Sequence, residues 1–258
     1  MRLLVLAASG DTFQPPSSRD FVLPPIFGDI TKPMLLAFLS VVIIATFFLV
    51  TARRAALVPG RLQFTGEGLY NLVRNGIARD VIGQGFERYV PYLVALFTFI
   101  LVNNLFGIVP FIQFPTMSRI AFPAVLAVLT WLIFNYVGVR RAGIVGYLKT
   151  MMFPPGVPWV IYPLVAPLEF AQAIIVRPLT LALRLFANMF AGHLLLLVFI
   201  LGGDYLLHAG GVLTVLSGFS FLIGIVMTFF EALVQVLQAY IFTLLTALYV
   251  AGALAEEH

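Results

Sequence analysis

Between Pro178 and Gly203 the chain reads PLTLALRLFANMFAGHLLLLVFILGG, a stretch whose only Asp, Glu, Lys or Arg is Arg184. About twenty predominantly apolar residues are enough to span a bilayer as a helix. A run of this kind cannot stay exposed in water, and its backbone can be satisfied in lipid only as a helix. The arginine is therefore the informative residue. Its side chain stays protonated at any biological pH, with a pKa above ~12. Holding it at membrane depth costs roughly 2.5 kcal/mol or more. A chain that keeps such a residue uses its charge.

The rest of the composition agrees. Hydrophobic residues make up 61% and charged residues 10%, against roughly 25% charged in a soluble domain. The mean hydropathy is +1.05 and the pI about 9.6. In an integral membrane protein the excess of 15 basic over 11 acidic residues sets orientation, and a nucleic-acid partner is not expected. The chain has no cysteine, which removes disulfides, thiolate ligands and a cysteine nucleophile. No cofactor and no metal site are expected. Met1-Arg2 and the apolar Leu3–Ala8 imitate a signal peptide, but the run is shorter than the usual hydrophobic region. Residues 1–32 read as a tail.

Five membrane helices are predicted, at 33–52, 89–112, 120–139, 163–201 and 212–255, in one membrane domain covering 1–258. Pro110 and Pro115 mark a turn after the second span. Five prolines between Thr150 and Leu168 make an approach loop, so the fourth helix starts near Pro163 or Pro167. Gly202-Gly203-Asp204 and Gly210-Gly211 are read as breaking it from the last span. Residues 61–88 differ: Leu69, Val73, Ile77 and Val81 recur at i+4 on one face while Arg74, Arg79 and Asp80 lie elsewhere. This is an amphipathic surface helix, with a solvated loop as the alternative. Basic residues in short loops give the topology. Arg53, Arg54, Arg61, Arg74, Arg79, Arg88, Arg140, Arg141 and Lys149 fall on one side, and only Arg2, Arg19, Lys32 and Arg119 on the other. The N-terminus is expected outside and the C-terminus in the cytoplasm. No internal repeat of the kind seen in inverted-repeat transporters is evident.

The fourth span carries Glu169, Arg177, Arg184 and His193, and the fifth carries Glu231. Thr180, Asn188, Gln235 and Gln238 add uncharged polar groups. So many in membrane helices imply a polar pathway. Arg177, Thr180, Arg184 and Asn188 are spaced three, four and four and share a face. His193, nine residues past Arg184, stands about half a turn away at ~100° per residue. Glu231, Gln235 and Gln238 share a face of the fifth span. If the two helices are antiparallel, Arg184 with Gln238, Asn188 with Gln235 and His193 with Glu231 all centre on a turn near Gly211. The pairing of His193 with Glu231 requires some twist. Arg184 then stands ~40 Å of helix from that turn, more than the ~30 Å hydrocarbon core. The last two helices must form a long hairpin that tilts, bends or projects.

RPLTLALRLFANMFAGH at 177–193 and FEALVQVLQAYIFTLLTALY at 230–249 resemble subunit a of the rotary F-type ATP synthase, and LVNNLFGIVP at 101–110 is also similar. The resemblance extends over nearly the whole chain in hydropathy and order. It implies an all-α integral membrane stator subunit. Such a subunit lies beside a ring of c subunits, with b subunits of the peripheral stalk as further partners. It offers protons two aqueous half-channels and is not itself catalytic. Arg184 matches the essential rotor-facing arginine, and Asn188 and Gln238 match polar neighbours. His193 and Glu231 occupy the two positions of an outer half-channel relay, with the histidine first as in mitochondrial members. Gln235 is a further polar lining residue. Glu169 lies one position from a family carboxylate of the inner half-channel. Arg177 either lines that exit path or snorkels to the surface. Asn103 and Asn104 either line the outer route or bridge helices. Gly107 stands where some members have aspartate. The resemblance favours a bacterial plasma membrane, with the mitochondrial inner membrane as the alternative.

Three rival functions remain at this level. A secondary transporter would use Arg184 to bind a substrate carboxylate. A membrane-embedded enzyme would need a nucleophile–base pair or a metal motif, and none of the three histidines sits in an H-E-x-x-H arrangement. A purely structural subunit would leave the buried charges unexplained.

Overall fold

The computed structural model describes residues 15–17, 21, 24, 28–53, 56, 58–110, 112–153, 158–209 and 211–254. Most of the expected tail at 1–32 lies outside them, as do Arg54, Pro154 and Pro155 of the expected approach loop, Gly210 and Ala255 at the end of the fifth span. Among the described residues every regular element is helical. Helix α1 is Lys32–Arg53. Helix α2 starts as Arg61–Val73, widens into a π turn at Arg74–Arg79 and ends as Asp80–Ile82. Helix α3 is Val90–Leu105, α4 is Ala121–Met152, α5 is Tyr162–Ala209 and α6 is Val212–Leu254. Four of these (α1, α4, α5 and α6) are long and apolar enough to cross a membrane, and α3 is a shorter fifth apolar helix.

The core forms where α2, α3, α5 and α6 meet. Val73 and Ile77 of α2, Leu93, Phe97 and Ile100 of α3, Leu181, Leu185 and Met189 of α5, and Ala239 and Phe242 of α6 are buried in one cluster. The predicted stripe of α2 points into it, with Leu69 and Val81 at its edge. Helix α3 is apolar along most of its length and buries Val90, Leu93, Val94, Leu96, Phe97 and Ile100. By contrast α1 keeps only Pro33, Leu36 and Ser40 buried, as expected of a helix that faces lipid.

Three boundaries differ from the sequence expectation. The third span was expected to end at 139, but helical structure continues to Met152 across Gly143, whose φ of 72° and ψ of 168° suit glycine alone. That residue folds the following turn back. The Tyr147 ring lies where a Cβ on Gly138 would stand, and its hydroxyl donates to Asn135 Oδ1 at 3.1 Å. Gly202-Gly203-Asp204 does not break α5. Gly203 is buried, and a Cβ there would stand 3.1 Å from the Phe221 ring, so the missing side chain serves close helix packing. The second span ends at Leu105 instead of 112, and the chain turns through Phe106–Pro110 before the short 3₁₀ turn Thr116–Ser118.

Helix α5 has a π segment at Gln172–Val176, just before Pro178. Proline lacks an N–H and its ring collides with the carbonyl four residues back. The wider turn accommodates this, and Trp131 Nε1 of α4 donates to the carbonyl of Ala173 at 3.1 Å. The chain reverses at Gly211, with φ of 65°, between α5 and α6, the place the polar pairs centre on.

Candidate functional site

The site is built on the contact between α5 and α6. Ser217, Gly224, Glu231 and Gln238 recur every seven residues along α6 and are all buried, the spacing of a left-handed helix crossing. Small residues bring the backbones together. A Cβ on Gly192 would stand 3.6 Å from Glu231 Cγ, and one on Gly224 would stand 3.7 Å from Ile200. On α5 the buried stripe runs Leu181, Leu185, Met189, His193, Leu196.

His193 and Glu231 meet inside this seam. They are 5% and 4% exposed, which places both out of reach of bulk water, and His193 Nδ1 stands 3.7 Å from Glu231 Oε1. This is slightly longer than a hydrogen bond. The same carboxylate oxygen accepts from Gln235 Nε2 at 3.1 Å. Among the described residues, His193 Nδ1, Glu231 Oε2 and Gln235 Oε1 have no hydrogen-bond partner. Buried polar atoms in that condition cost about 1–3 kcal/mol each, so the cluster is not arranged for stability alone. The helix crossing supplies the twist that the sequence spacing demanded.

Arg184 lies on the opposite face of α5 and is exposed. Among the described residues no hydrogen bond or ion pair holds its guanidinium. Next to it, Asn188 Nδ2 donates to Gln238 Oε1 at 2.6 Å. This corrects the expected pairing by depth, in which Asn188 faced Gln235. Gln235 instead turns to Glu231, because it sits one turn along α6 from that carboxylate.

The remaining expected residues separate. Asn104 Nδ2 donates to the carbonyl of Gln235 at 3.2 Å, so it borders the cluster. Its neighbour Asn103 donates to Ser40 Oγ and the carbonyl of Phe99, both at 2.8 Å, and serves the contact with α1. Gly107 lies under Gln235, whose Nε2 would stand 3.1 Å from a Cβ added there. Glu169 is half-buried at the start of α5, away from the cluster. Arg177 is half-buried, its guanidinium 5.3 Å from the centre of the Tyr249 ring, a cation–π contact. Two residues not anticipated also belong here. Thr116 is fully buried, its hydroxyl without a hydrogen-bond partner among the described residues, and Ser40 is the partner of Asn103. A lone Ser within an apolar span was the only sequence signal for the latter.

The fold and the site together define a multi-pass membrane protein that keeps ionisable groups between its last two helices and an exposed arginine on the outer face of α5. Residues 34–251 match the family described as ATP synthase A chain. The chain is 49% identical to ATP synthase subunit a of Nocardioides sp., over 99% of this chain and 98% of that one. It is 46% identical to that of Pseudarthrobacter chlorophenolicus, over 99% of each, and 42% identical to that of Streptomyces lividans, over 96% and 90%. The chain belongs to the ATP synthase subunit a family, a membrane component of the Fo sector.

Proposed function

We propose that this chain is the proton-translocating stator of a bacterial F-type ATP synthase, seated in the plasma membrane with its N-terminus outside and its C-terminus in the cytoplasm. It forms two half-channels against a ring of c subunits, is anchored by the b subunits of the peripheral stalk, and has Arg184 between the half-channels. The observation that carries this reading is the contrast on α5. Arg184 is exposed with no ion-pair or hydrogen-bond partner among the described residues, while His193 is enclosed beside Glu231 on the other face. A cation on the outside of a membrane helix needs an anionic partner from another subunit, and a ring of acidic rotor sites would supply it.

Arg184 favours the ionised form of a rotor carboxylate beside it, so the proton leaves before the site passes. Its permanent charge opposes direct proton hopping between half-channels. Lysine could lose its proton when desolvated, and arginine does not. His193 and Glu231 pass the proton in the outer half-channel, where the unpaired atoms around them favour water. Gln235, Asn104 and Thr116 line this route. Asn188 and Gln238 are the polar neighbours of Arg184. Glu169 and Arg177 stand towards the inner half-channel, and the hold of Tyr249 on Arg177 keeps that charge near the bundle.

The test is Arg184→Ala in the whole complex, with ATP-driven proton pumping followed in inverted membrane vesicles. Pumping is abolished while the complex still assembles with its c ring. Normal coupled pumping by this variant would remove the proposal.

A further inference from the structure

The mechanism above leaves one flank of His193 unexplained. Phe21, which precedes α1 and is distant in sequence from α5, is only 5% exposed. Its ring centre lies 5.8 Å from that of His193 in an edge-to-face arrangement, 4.8 Å from Phe190 and 6.4 Å from Phe114. The backbone is anchored as well. Arg119 donates to the carbonyl of Phe21 through Nε at 3.2 Å and Nη2 at 3.1 Å. Nearby, Lys32 Nζ donates to the carbonyl of Ile112 at 2.7 Å. Charge-assisted bonds of this kind are stronger than neutral ones. Two cations thus tie the first segments of the chain to the loop between α3 and α4, and the result is an aromatic ring pressed on the imidazole.

We infer that Phe21 is a positioning residue for His193: it seals the flank away from Glu231 and holds the imidazole with Nδ1 turned to the carboxylate. This rests on the relay reading of His193 and Glu231. The physical reason is steric and dielectric. An imidazole open to water on two sides turns about its side-chain bonds and exchanges protons in either direction. An apolar ring on one side removes that route and leaves the polar side, with Gln235 and Glu231, as the only way through. Aromatic pairs contribute about 0.5–1.5 kcal/mol beyond the area they bury, enough to bias one rotamer. The loop geometry adds direction, because the same loop carries Thr116 and begins beside Asn104.

The experiment uses the whole complex with Phe21→Ala, Phe21→Leu, Arg119→Gln and His193→Ala. ATP-driven pumping is measured in membrane vesicles. Acylation of His193 by diethylpyrocarbonate is followed by peptide mass spectrometry on the purified complex. Phe21→Ala is expected to assemble, to pump about two- to tenfold more slowly, the rate equivalent of one aromatic contact, and to be acylated at His193 several-fold faster. Phe21→Leu, which keeps an apolar plug, restores protection and most of the pumping. Arg119→Gln shifts both readouts in the direction of Phe21→Ala, and it stands in if that variant fails to assemble. Unchanged acylation or unchanged pumping in Phe21→Ala overturns the inference, as does a Phe21→Leu variant no better than Phe21→Ala. If Phe21→Ala does not assemble, unchanged acylation in Arg119→Gln overturns it. Normal pumping by His193→Ala would instead sink the relay reading on which the inference stands.

Discussion

Helix α5 carries two ionisable groups nine residues apart that live in opposite surroundings. Around Arg184 the helix is open: the guanidinium is exposed, and its polar neighbours Asn188 and Gln238 share one hydrogen bond. Around His193 everything is closed, with Glu231, Gln235 and Phe21 packed against it and several polar atoms unpaired. The first region presents its charge outward, and the second keeps its ionisable groups within the seam between α5 and α6. The difference teaches that charge at membrane depth can be tolerated in two ways. It can be left outward for a partner, or buried beside a group of matching chemistry.

The largest expected effect tests the open end. Arg184→Lys keeps a positive charge but allows it to be lost, so pumping should fall by more than about tenfold. Preserved pumping would show that permanence of the charge is irrelevant there. At the closed end, His193→Ala and Glu231→Ala should each slow pumping by about tenfold, and the double variant should be no slower than the worse single one, because groups that act as a unit are not additive. Multiplicative losses would separate the pair. Asn188→Ala and Gln238→Ala should each slow pumping only a few-fold, since a neutral hydrogen bond contributes about 0.5–1.5 kcal/mol. A double-mutant cycle on pumping rates should show them coupled. The smallest effect lies away from both ends. Gly143→Ala should leave pumping near normal while lowering the thermal stability of the chain by about 1–3 kcal/mol, because φ of 72° with ψ of 168° is open to glycine alone. Unaltered thermal unfolding of that variant would mean that the backbone relaxes.

Much of this was legible in sequence because membrane helices leave few choices. The i+4 stripe of Leu69, Val73, Ile77 and Val81 separated the apolar side of α2 from its charged side, but it was read as lying on the membrane surface, whereas Val73 and Ile77 are buried in the protein core. The antiparallel reading of the last two helices placed the turn by Gly211 and set His193 level with Glu231. It misassigned Asn188, since depth alone cannot tell which of two buried glutamines, three residues apart, turns to it and which to Glu231. Asn103 and Asn104 could not be separated either. Adjacent residues point ~100° apart, and only the packed neighbours decide which meets α1 and which meets α6. Gly202-Gly203-Asp204 looked like a break because glycine is a poor helix former in water, yet here a bulky ring fills the space it leaves. Phe21 gave no signal at all. A single aromatic in a proline-rich segment has no periodicity, and its role appears only when Arg119 brings the two segments together.

The shortness of α3 has a consequence for the backbone that follows it. Its 16 residues reach about 24 Å at 1.5 Å per residue, less than the ~30 Å of a hydrocarbon layer. Irregular backbone therefore lies at membrane depth beyond Leu105, which is permissible because Phe106, Phe114 and Met117 bury it in protein. The backbone groups past Leu105 must then find their partners inside the protein, as the Phe114 N–H does on the carbonyl of Phe106 at 3.2 Å.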